Sequence, residues 1–452
     1  MTSVQKNVEK KTFITSMKYS FAVNVASKGM LYLSQFLLAR ILMVDQYGIY
    51  AYSLAWLNML LLIGTMGLDT ALSRYIPQYT SRNEWGLCRG IIKRSYQLVF
   101  LASIILLIGS CVIILFNRNH LPEKNLFASL LIGMSALPLW TAIKLTQGVF
   151  RSFKKPGFSQ FLDGVLLPMF LLSILGMAIM LNITISAVTV MAVFVASCVV
   201  VLIFGKVWLR TYVYPSMLKN VGAEYKTREW LIFATPMLII VGTYMIMSNT
   251  DVIMIGMMKD PSQAGIYTAA AHMASLVSVS LVFVNMALMP YISEYFFSAR
   301  RVELQHFIFL SARIAALFAV PVFIILLLYG KYALGFLGDE FKSGYHVLLI
   351  LIAAHLVNVL SGSVGNIMIM TGKQKQAAYT FAISAALNII LNLILIPYYG
   401  IDGAAVATAV SMMLWNVALV IYIRKRISLD STIFSFWTGG LREAGESSTS
   451  KP

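Results

Sequence analysis

The sequence predicts an all-α, polytopic membrane protein of about twelve transmembrane helices, set as two six-helix pseudo-symmetric halves around a central cavity. Three observations predict it: the apolar composition, the regular recurrence of long apolar runs, and an internal repeat. The 452 residues are 59% hydrophobic and 12% charged, whereas soluble domains run at roughly 45–50% apolar and about 25% charged. A chain with so few charges needs lipid as its solvent, and no stretch is left over for a soluble catalytic domain.

Each span follows from an apolar run long enough to cross a ~30 Å hydrocarbon core as a helix. In the first half these runs lie near 19–44, 47–70, 95–116, 125–148, 159–181 and 186–208. In the second they lie near 231–257, 264–289, 306–329, 344–370, 377–396 and 403–423. The first run is too long for a signal-peptide core and lacks a small-residue cleavage pattern, so it reads as a retained span. The organisation expected is a cytoplasmic N-terminus (1–18), a six-helix half (19–208), a cytoplasmic linker (209–229), a second half (230–426) and a polar cytoplasmic tail (427–452), read as disordered from its composition.

Charge orients the spans. With the N-terminus inside, 27 of the 35 Lys and Arg residues fall in cytoplasmic segments and 6 on the opposite side, with Lys28 and Arg313 left inside spans. The asymmetry predicts a multi-pass protein of the cytoplasmic (inner) membrane with both termini cytoplasmic. The net charge of +17 sits between spans, which assigns it to topology and anionic headgroups and not to a nucleic-acid partner. Cys88, Cys111 and Cys198 are too scattered for a disulfide framework or a thiolate metal site. The external segments are all short, the longest running from about Gly330 to Ser343, and this counts against a membrane glycan polymerase or ligase, a class that generally presents a large external loop.

The halves echo one another. Asp45-Gln46-Tyr47-Gly48-Ile49-Tyr50 opens span two and Ser262-Gln263-Ala264-Gly265-Ile266-Tyr267 opens span eight, 217 residues later. Near the same offset, Arg74-Tyr75-Ile76-Pro77 pairs with Pro290-Tyr291-Ile292-Ser293 and Ile185-Ser186-Ala187-Val188 with Gly403-Ala404-Ala405-Val406. Six spans per repeat give both halves the same orientation, the parallel-repeat class of transporter, which alternates access by rocking.

Gly48-Ile49-Tyr50, the run Gly67 to Tyr75, and above all Leu387-Asn388-Ile389-Ile390-Leu391-Asn392 through Pro397-Tyr398-Tyr399-Gly400-Ile401-Asp402-Gly403-Ala404-Ala405-Val406-Ala407-Thr408 resemble the polysaccharide-transporter branch of the multidrug/oligosaccharidyl-lipid/polysaccharide exporter superfamily. The resemblance covers about residues 17–426. It implies a flippase for isoprenoid-diphosphate-linked oligosaccharides such as O-antigen, capsule or exopolysaccharide units, with polysaccharide polymerase machinery as a further partner. The motif itself specifies only a helical hairpin: Pro397 ends a helix, Gly400 and Gly403 allow a tight external turn, and Ala404, Ala405 and Ala407 let the next helix pack closely.

Ionisable groups inside a span cost about 2.5–3.5 kcal/mol on insertion scales, so they are candidates for function. In such a flippase, cavity-facing Lys28, Arg313 and His272 would hold diphosphate or acidic sugars. Their alternatives are snorkelling to headgroups for the two cations and an interhelical hydrogen bond for the histidine. Arg74, with Arg151, Lys154, Lys155, Arg300 and Arg301, forms either a basic vestibule for the headgroup or ordinary topological charge. Asp69 and Arg74, five apart, are read as a structural pair. Asp251, Asn388, Asn392 and Thr408 offer the oxygen ligands that suit sodium, or a proton-coupled equivalent. Asn388 and Asn392, one turn apart, share a helix face. The competing reading is interhelical hydrogen bonding. No phosphate-binding loop, zinc motif or Ser-His-Asp set is present, so no enzyme and no resident cofactor is expected. The rival function is a cation-coupled multidrug exporter of the same superfamily, for which an acid-rich cavity would be expected.

Overall fold

The computed structural model describes residues 3–120, 124–214, 221–298 and 300–434, with side chains from residue 22 onward except at 120, 236, 239–241, 244, 287 and 290. The side chains of residues 1–18, part of the linker (215–220) and the tail beyond residue 434 lie outside the described residues. Among the described residues all regular structure is helical. The chain divides into two compact units that meet in the sequence between Asn249 and Thr250.

The first unit holds α1 (Ser3–Thr65), α2 (Leu68–Ser81), α3 (Trp85–Phe116), α4 (Lys124–Ser135), α5 (Leu137–Ser152), α6 (Pro156–Phe161), α7 (Leu167–Met180) and α8 (Ala187–Trp208). The helix α9 (Thr227–Met258) runs across the division. The second unit continues with α10 (Pro261–Ser275), α11 (Val279–Phe297), α12 (Arg301–Leu337), α13 (Tyr345–Ser361), α14 (Val364–Met370) and α15 (Gln374–Tyr422). Among the described residues eight helices are long and apolar enough to cross a membrane, or nine if α4 and α5, bent by 40°, form one broken span. Two of these hold a pair of spans each. The helix α1 breaks at Met43 (φ 61°, ψ 178°), between predicted spans one and two. The helix α15 breaks at Gly400 (φ 56°, ψ −132°), between spans eleven and twelve. With α9 as the seventh, the helices of the described residues account for about twelve spans in an all-α architecture.

The helices repeat as the sequence does. Three residues separate α2 from α3 (Ser81 to Trp85), and α11 from α12 (Phe297 to Arg301). Both α8 and α15 end in a π-helical turn, at Leu209–Val213 and Ile423–Ile427. Local chemistry starts the helices: Asp260 accepts from Ser262 N at 3.0 Å ahead of Pro261 in the first turn of α10, and Ser186 accepts from Thr189 N at 3.3 Å ahead of α8. On α3, Leu101, Ile105, Ile108, Val112 and Leu115 are all more than half exposed along one stripe, the apolar outer face expected of a membrane span.

Two readings are corrected. Pro397 does not end its helix, which runs on for three residues to Gly400, whose left-handed φ makes the turn without a Cβ clash. The first residues of the tail are packed: Gln305 on α12 donates to Asp430 O and accepts from Asp430 N, both at 2.8 Å, Arg424 pairs with Asp430 at 2.9 Å, and Ser431 is buried.

Candidate functional site

The second unit gathers Asp251, Asn388, Asn392 and Thr408 into one polar cluster. Asp251 stands on α9, the two asparagines on the first limb of α15, and Thr408 on its second limb. Folding back at Gly400 is what brings Thr408 level with Asn388, so the turn motif positions the site as well as joining two spans. Asn392 Nδ2 donates to Asp251 Oδ1 at 2.6 Å and Asn388 Nδ2 to the same atom at 3.3 Å. Asp251 Oδ2 accepts from Tyr267 OH at 2.5 Å and from the Thr408 hydroxyl. Asn388 also donates to Thr408 Oγ1 at 3.1 Å, and Asn392 to Asn388 Oδ1 at 3.2 Å.

Asp251, Tyr267, Asn388 and Asn392 are buried. Burying a carboxylate is costly unless its lone pairs are satisfied, and four donors on two oxygens is the complement of an ionised, acceptor-only group. The four donors are neutral; none of the contacts to Asp251 comes from a basic side chain. Beside them, Asn392 Oδ1 is buried with no hydrogen-bond partner among the described residues. Such an orphan acceptor costs about 1–3 kcal/mol, and it is an oxygen ligand ready for a cation or a proton donor. The carboxylate, amide and hydroxyl oxygens of the cluster are of the type a hard cation takes, and all but Asn392 Oδ1 are engaged in hydrogen bonds within it. Sequence reasoning missed Tyr267, although it stands in the repeated Gly265-Ile266-Tyr267 run and carries a hydroxyl into a predicted span.

The cluster is confined to one unit. At the repeat offset of 217 to 218 residues, Asp251 corresponds to Ser34, Asn388 to Phe170, Asn392 to Ile174 and Thr408 to Val190. Only the tyrosine persists, as Tyr50. In that unit Tyr47 OH donates to Gln35 Oε1 at 3.3 Å, and Tyr50 bonds the same glutamine. A network needed merely to hold this fold together would be expected in both halves.

The first unit carries a different polar centre. Lys144 on α5 pairs with Asp163, which also accepts from Trp140 Nε1 at 3.3 Å and has Gln147 alongside. Trp140, Lys144 and Gln147 recur every three to four residues and share a face of α5. Asp163 sits in the π-helical turn Leu162–Leu166, whose Gly164 meets α1 so closely that an added Cβ would lie 2.4 Å from Ser27 Cβ and Oγ. The charge count groups Lys144 with the segment after span four, which is why the pair was not foreseen. Lys28, next to Ser27, is half-buried and makes no hydrogen bond or ion pair with a described residue.

The remaining candidates stay apart. His272 on α10 is half-buried and shows no side-chain hydrogen bond among the described residues. Arg313 on α12 is exposed, its guanidinium 4.0 Å over the Phe309 ring, on the face that also exposes Leu310 and Leu317. No hydrogen bond or ion pair joins either to the Asp251 cluster. Arg74 is exposed with its guanidinium 4.2 Å over Phe233; Asp69 pairs with Arg151 at 3.1 Å and not with Arg74, because the end of α5 lies against the start of α2. Arg300 pairs with Glu303 at 3.1 Å and Arg301 donates to Ile427 O at 2.8 Å, so both have local structural partners.

Residues 13–296 match the family described as polysaccharide biosynthesis protein, and residues 236–394 match the MatE family. Two relatives from Haloferax volcanii are similar to this chain: a probable low-salt glycan biosynthesis flippase, Agl15, 26% identical over 235 residues (52% of this chain, 48% of Agl15), and a probable flippase, AglR, 25% identical over 180 residues (39% and 38%). The chain thus spans about half the length of the curated relatives it matches. Among solved structures, the inward-facing conformation of a multidrug resistance MATE family transporter of the MOP superfamily superposes with a TM-score of 0.71 at 13% identity, covering 87% of this chain and 94% of that one. The lipid II flippase MurJ, in an inward closed conformation, superposes at 0.70 and 14% identity, covering 90% and 87%. At such identities the likeness is one of fold. The family match extends over more than half of the sequence, and the chain belongs to the polysaccharide biosynthesis protein family.

Proposed function

We propose that this protein is a flippase that moves isoprenoid-diphosphate-linked oligosaccharide from the inner to the outer leaflet of the cytoplasmic membrane, for surface polysaccharide such as O-antigen, capsule or exopolysaccharide. Family membership over residues 13–296 is the observation that carries the reading, and the glycan-flippase names of the curated relatives support it. Both termini lie in the cytoplasm, and the polymerase that consumes the product is the expected partner. Lys28, a half-buried cation with no described counter-ion, meets the diphosphate, where charge-assisted hydrogen bonds are strongest. Arg74, Arg313 and His272 are secondary contacts for phosphate or acidic sugar.

Asp251, with Asn388, Asn392 and Thr408, takes the coupling cation, sodium or a proton. A half-turn of the Asn392 amide exchanges its donor for Oδ1 and directs that oxygen to whatever Asp251 has bound. The confinement of this carboxylate to one unit supports a single coupling site. No covalent chemistry is needed.

A second reading, a cation-coupled multidrug exporter, draws on the MatE match over residues 236–394. Lys28 argues against it, since a cationic drug would be repelled by an unpaired ammonium.

Deleting the gene decides between them. The flippase reading expects loss of surface glycan with lipid-linked precursor accumulating in the inner leaflet; intact export with evenly distributed precursor would overturn it.

A further inference from the structure

Residues 221–233, which lead from the linker into α9, are fastened to the ends of α2 and α3. Arg89 Nη1 donates to Val221 O at 2.6 Å, Glu224 N to Gly86 O at 3.0 Å, and buried Trp230 donates through Nε1 to Tyr79 OH at 2.9 Å. Beside this anchor opens a cleft of about 800 Å3, lined by Tyr75, Tyr225, Lys226, Arg228, Phe233 and Met237 among others.

The cleft has two zones. At its rim Lys226 and Arg228 are exposed and make no side-chain hydrogen bond or ion pair with a described residue. Glu229, the acid among the lining residues, is engaged by the Tyr75 hydroxyl. Arg74 stands alongside with its guanidinium over Phe233. Farther along α9 the lining is Ile232, Phe233 and Met237, and Ile232 is 64% exposed. At 1.5 Å per residue, the cationic rim and the far end of the apolar floor are separated by ~13 Å. That is the dimension of a lipid headgroup together with the start of its chain.

We propose that this cleft binds one anionic phospholipid of the surrounding membrane. Lys226 and Arg228 hold the phosphate oxygens, with Arg74 as the third cation, and the hydrocarbon lies against Ile232, Phe233 and Met237. The chemistry selects an amphiphile on both counts. A soluble anion would leave the apolar floor wet, and an uncharged lipid would leave two cations unused where an anionic headgroup would attract them. Aromatic residues at that level suit the boundary between headgroup and chain. Arg74 is shared with the substrate contacts proposed above, but Lys226 and Arg228 are not, so a chain that flips nothing but retains the lipid leaves this inference standing.

The test uses the full chain in nanodiscs and counts retained lipid by native mass spectrometry. The probes are phosphatidylglycerol, phosphatidylcholine and an isoprenyl diphosphate. A photoreactive side chain at Tyr225 locates the bound lipid. Wild type is expected to retain one anionic lipid, cross-linked at position 225. Lys226→Ala with Arg228→Ala should weaken it by on the order of 10- to 100-fold, about the loss of one to two charge-assisted hydrogen bonds. Lys154→Ala with Lys155→Ala, an equal change of charge on the same predicted side, should not. Competition in favour of phosphatidylglycerol supports the site, and preferential retention of the isoprenyl diphosphate overturns it by making the cleft part of the substrate path. Equal retention of phosphatidylcholine, equal loss in the Lys154/Lys155 control, or no cross-link at position 225 overturns it. The cross-link on the otherwise unaltered chain keeps the test decisive if the double variant fails to fold.

Discussion

Replacing Asp251 by Asn and by Ala separates a carboxylate that organises its neighbours from one that merely occupies space. In the native cluster the carboxylate accepts from four donors. An Asn at 251 keeps one acceptor oxygen and presents an NH2 in place of the other. That NH2 is tolerated on the side of Tyr267 and Thr408, because hydroxyls rotate to accept, whereas Asn388 and Asn392 already aim their amides at Oδ1. Two bonds then fall from about 1.5–3 kcal/mol each to the roughly 0.5–1.5 kcal/mol of neutral pairs, a loss of about 2–3 kcal/mol. Ala leaves all four donors buried and unmade at about 1 kcal/mol or more apiece, a loss of at least ~4 kcal/mol. Thermal unfolding of the purified protein should therefore rank wild type above Asp251→Asn above Asp251→Ala. Asp251→Asn should also abolish any stabilisation by added sodium or dependence on a proton gradient. Equal destabilisation by the two variants, or undiminished cation dependence in Asp251→Asn, would refute the reasoning.

Tyr267→Phe removes one charge-assisted bond and should cost about 1.5–3 kcal/mol, whereas Tyr50→Phe at the matching position loses only a neutral bond to Gln35 and should cost less; denaturation in detergent compares them. Lys144→Met strands Asp163, and because both side chains are about a quarter exposed the penalty should be about 1–3 kcal/mol, below that of a fully buried pair. Adding Asp163→Asn should restore most of it, which a double-mutant cycle reads directly; additive losses would mean the pair is not coupled. Gly164→Ala forces a Cβ to within 2.4 Å of Ser27 and should destabilise by about 1–3 kcal/mol, with Ser27→Gly as the suppressing second change.

Much of the fold was legible because hydropathy and charge are read residue by residue: the runs, the repeat offset and the break at Gly400 all reappear as helices, matching connections and a turn. Within the second unit the spacing of Asn388 and Asn392 announced a shared face, and Asp251 and Thr408 were singled out as polar groups in apolar runs. Tyr267 escaped because an aromatic ring in a span is usually packing. Lys144 and Asp163 escaped because their pairing crosses from α5 to a π-helical turn, and neither the turn nor the contact has a signature in spacing. The order of residues 428–432 was hidden for the same reason: it depends on Gln305, more than 120 residues away, bonding both backbone groups of Asp430.

The proposed movement of a lipid-linked glycan, driven through Asp251, has a vectorial readout. The direct measurement is flipping of a fluorescent isoprenoid-diphosphate oligosaccharide in proteoliposomes, scored by its accessibility on the opposite leaflet with and without a sodium or proton gradient. Gradient-stimulated flipping is expected of the wild-type chain, and gradient-independent, much slower movement of Asp251→Asn. Movement no faster than in protein-free liposomes, or full gradient stimulation in Asp251→Asn, would contradict the proposal.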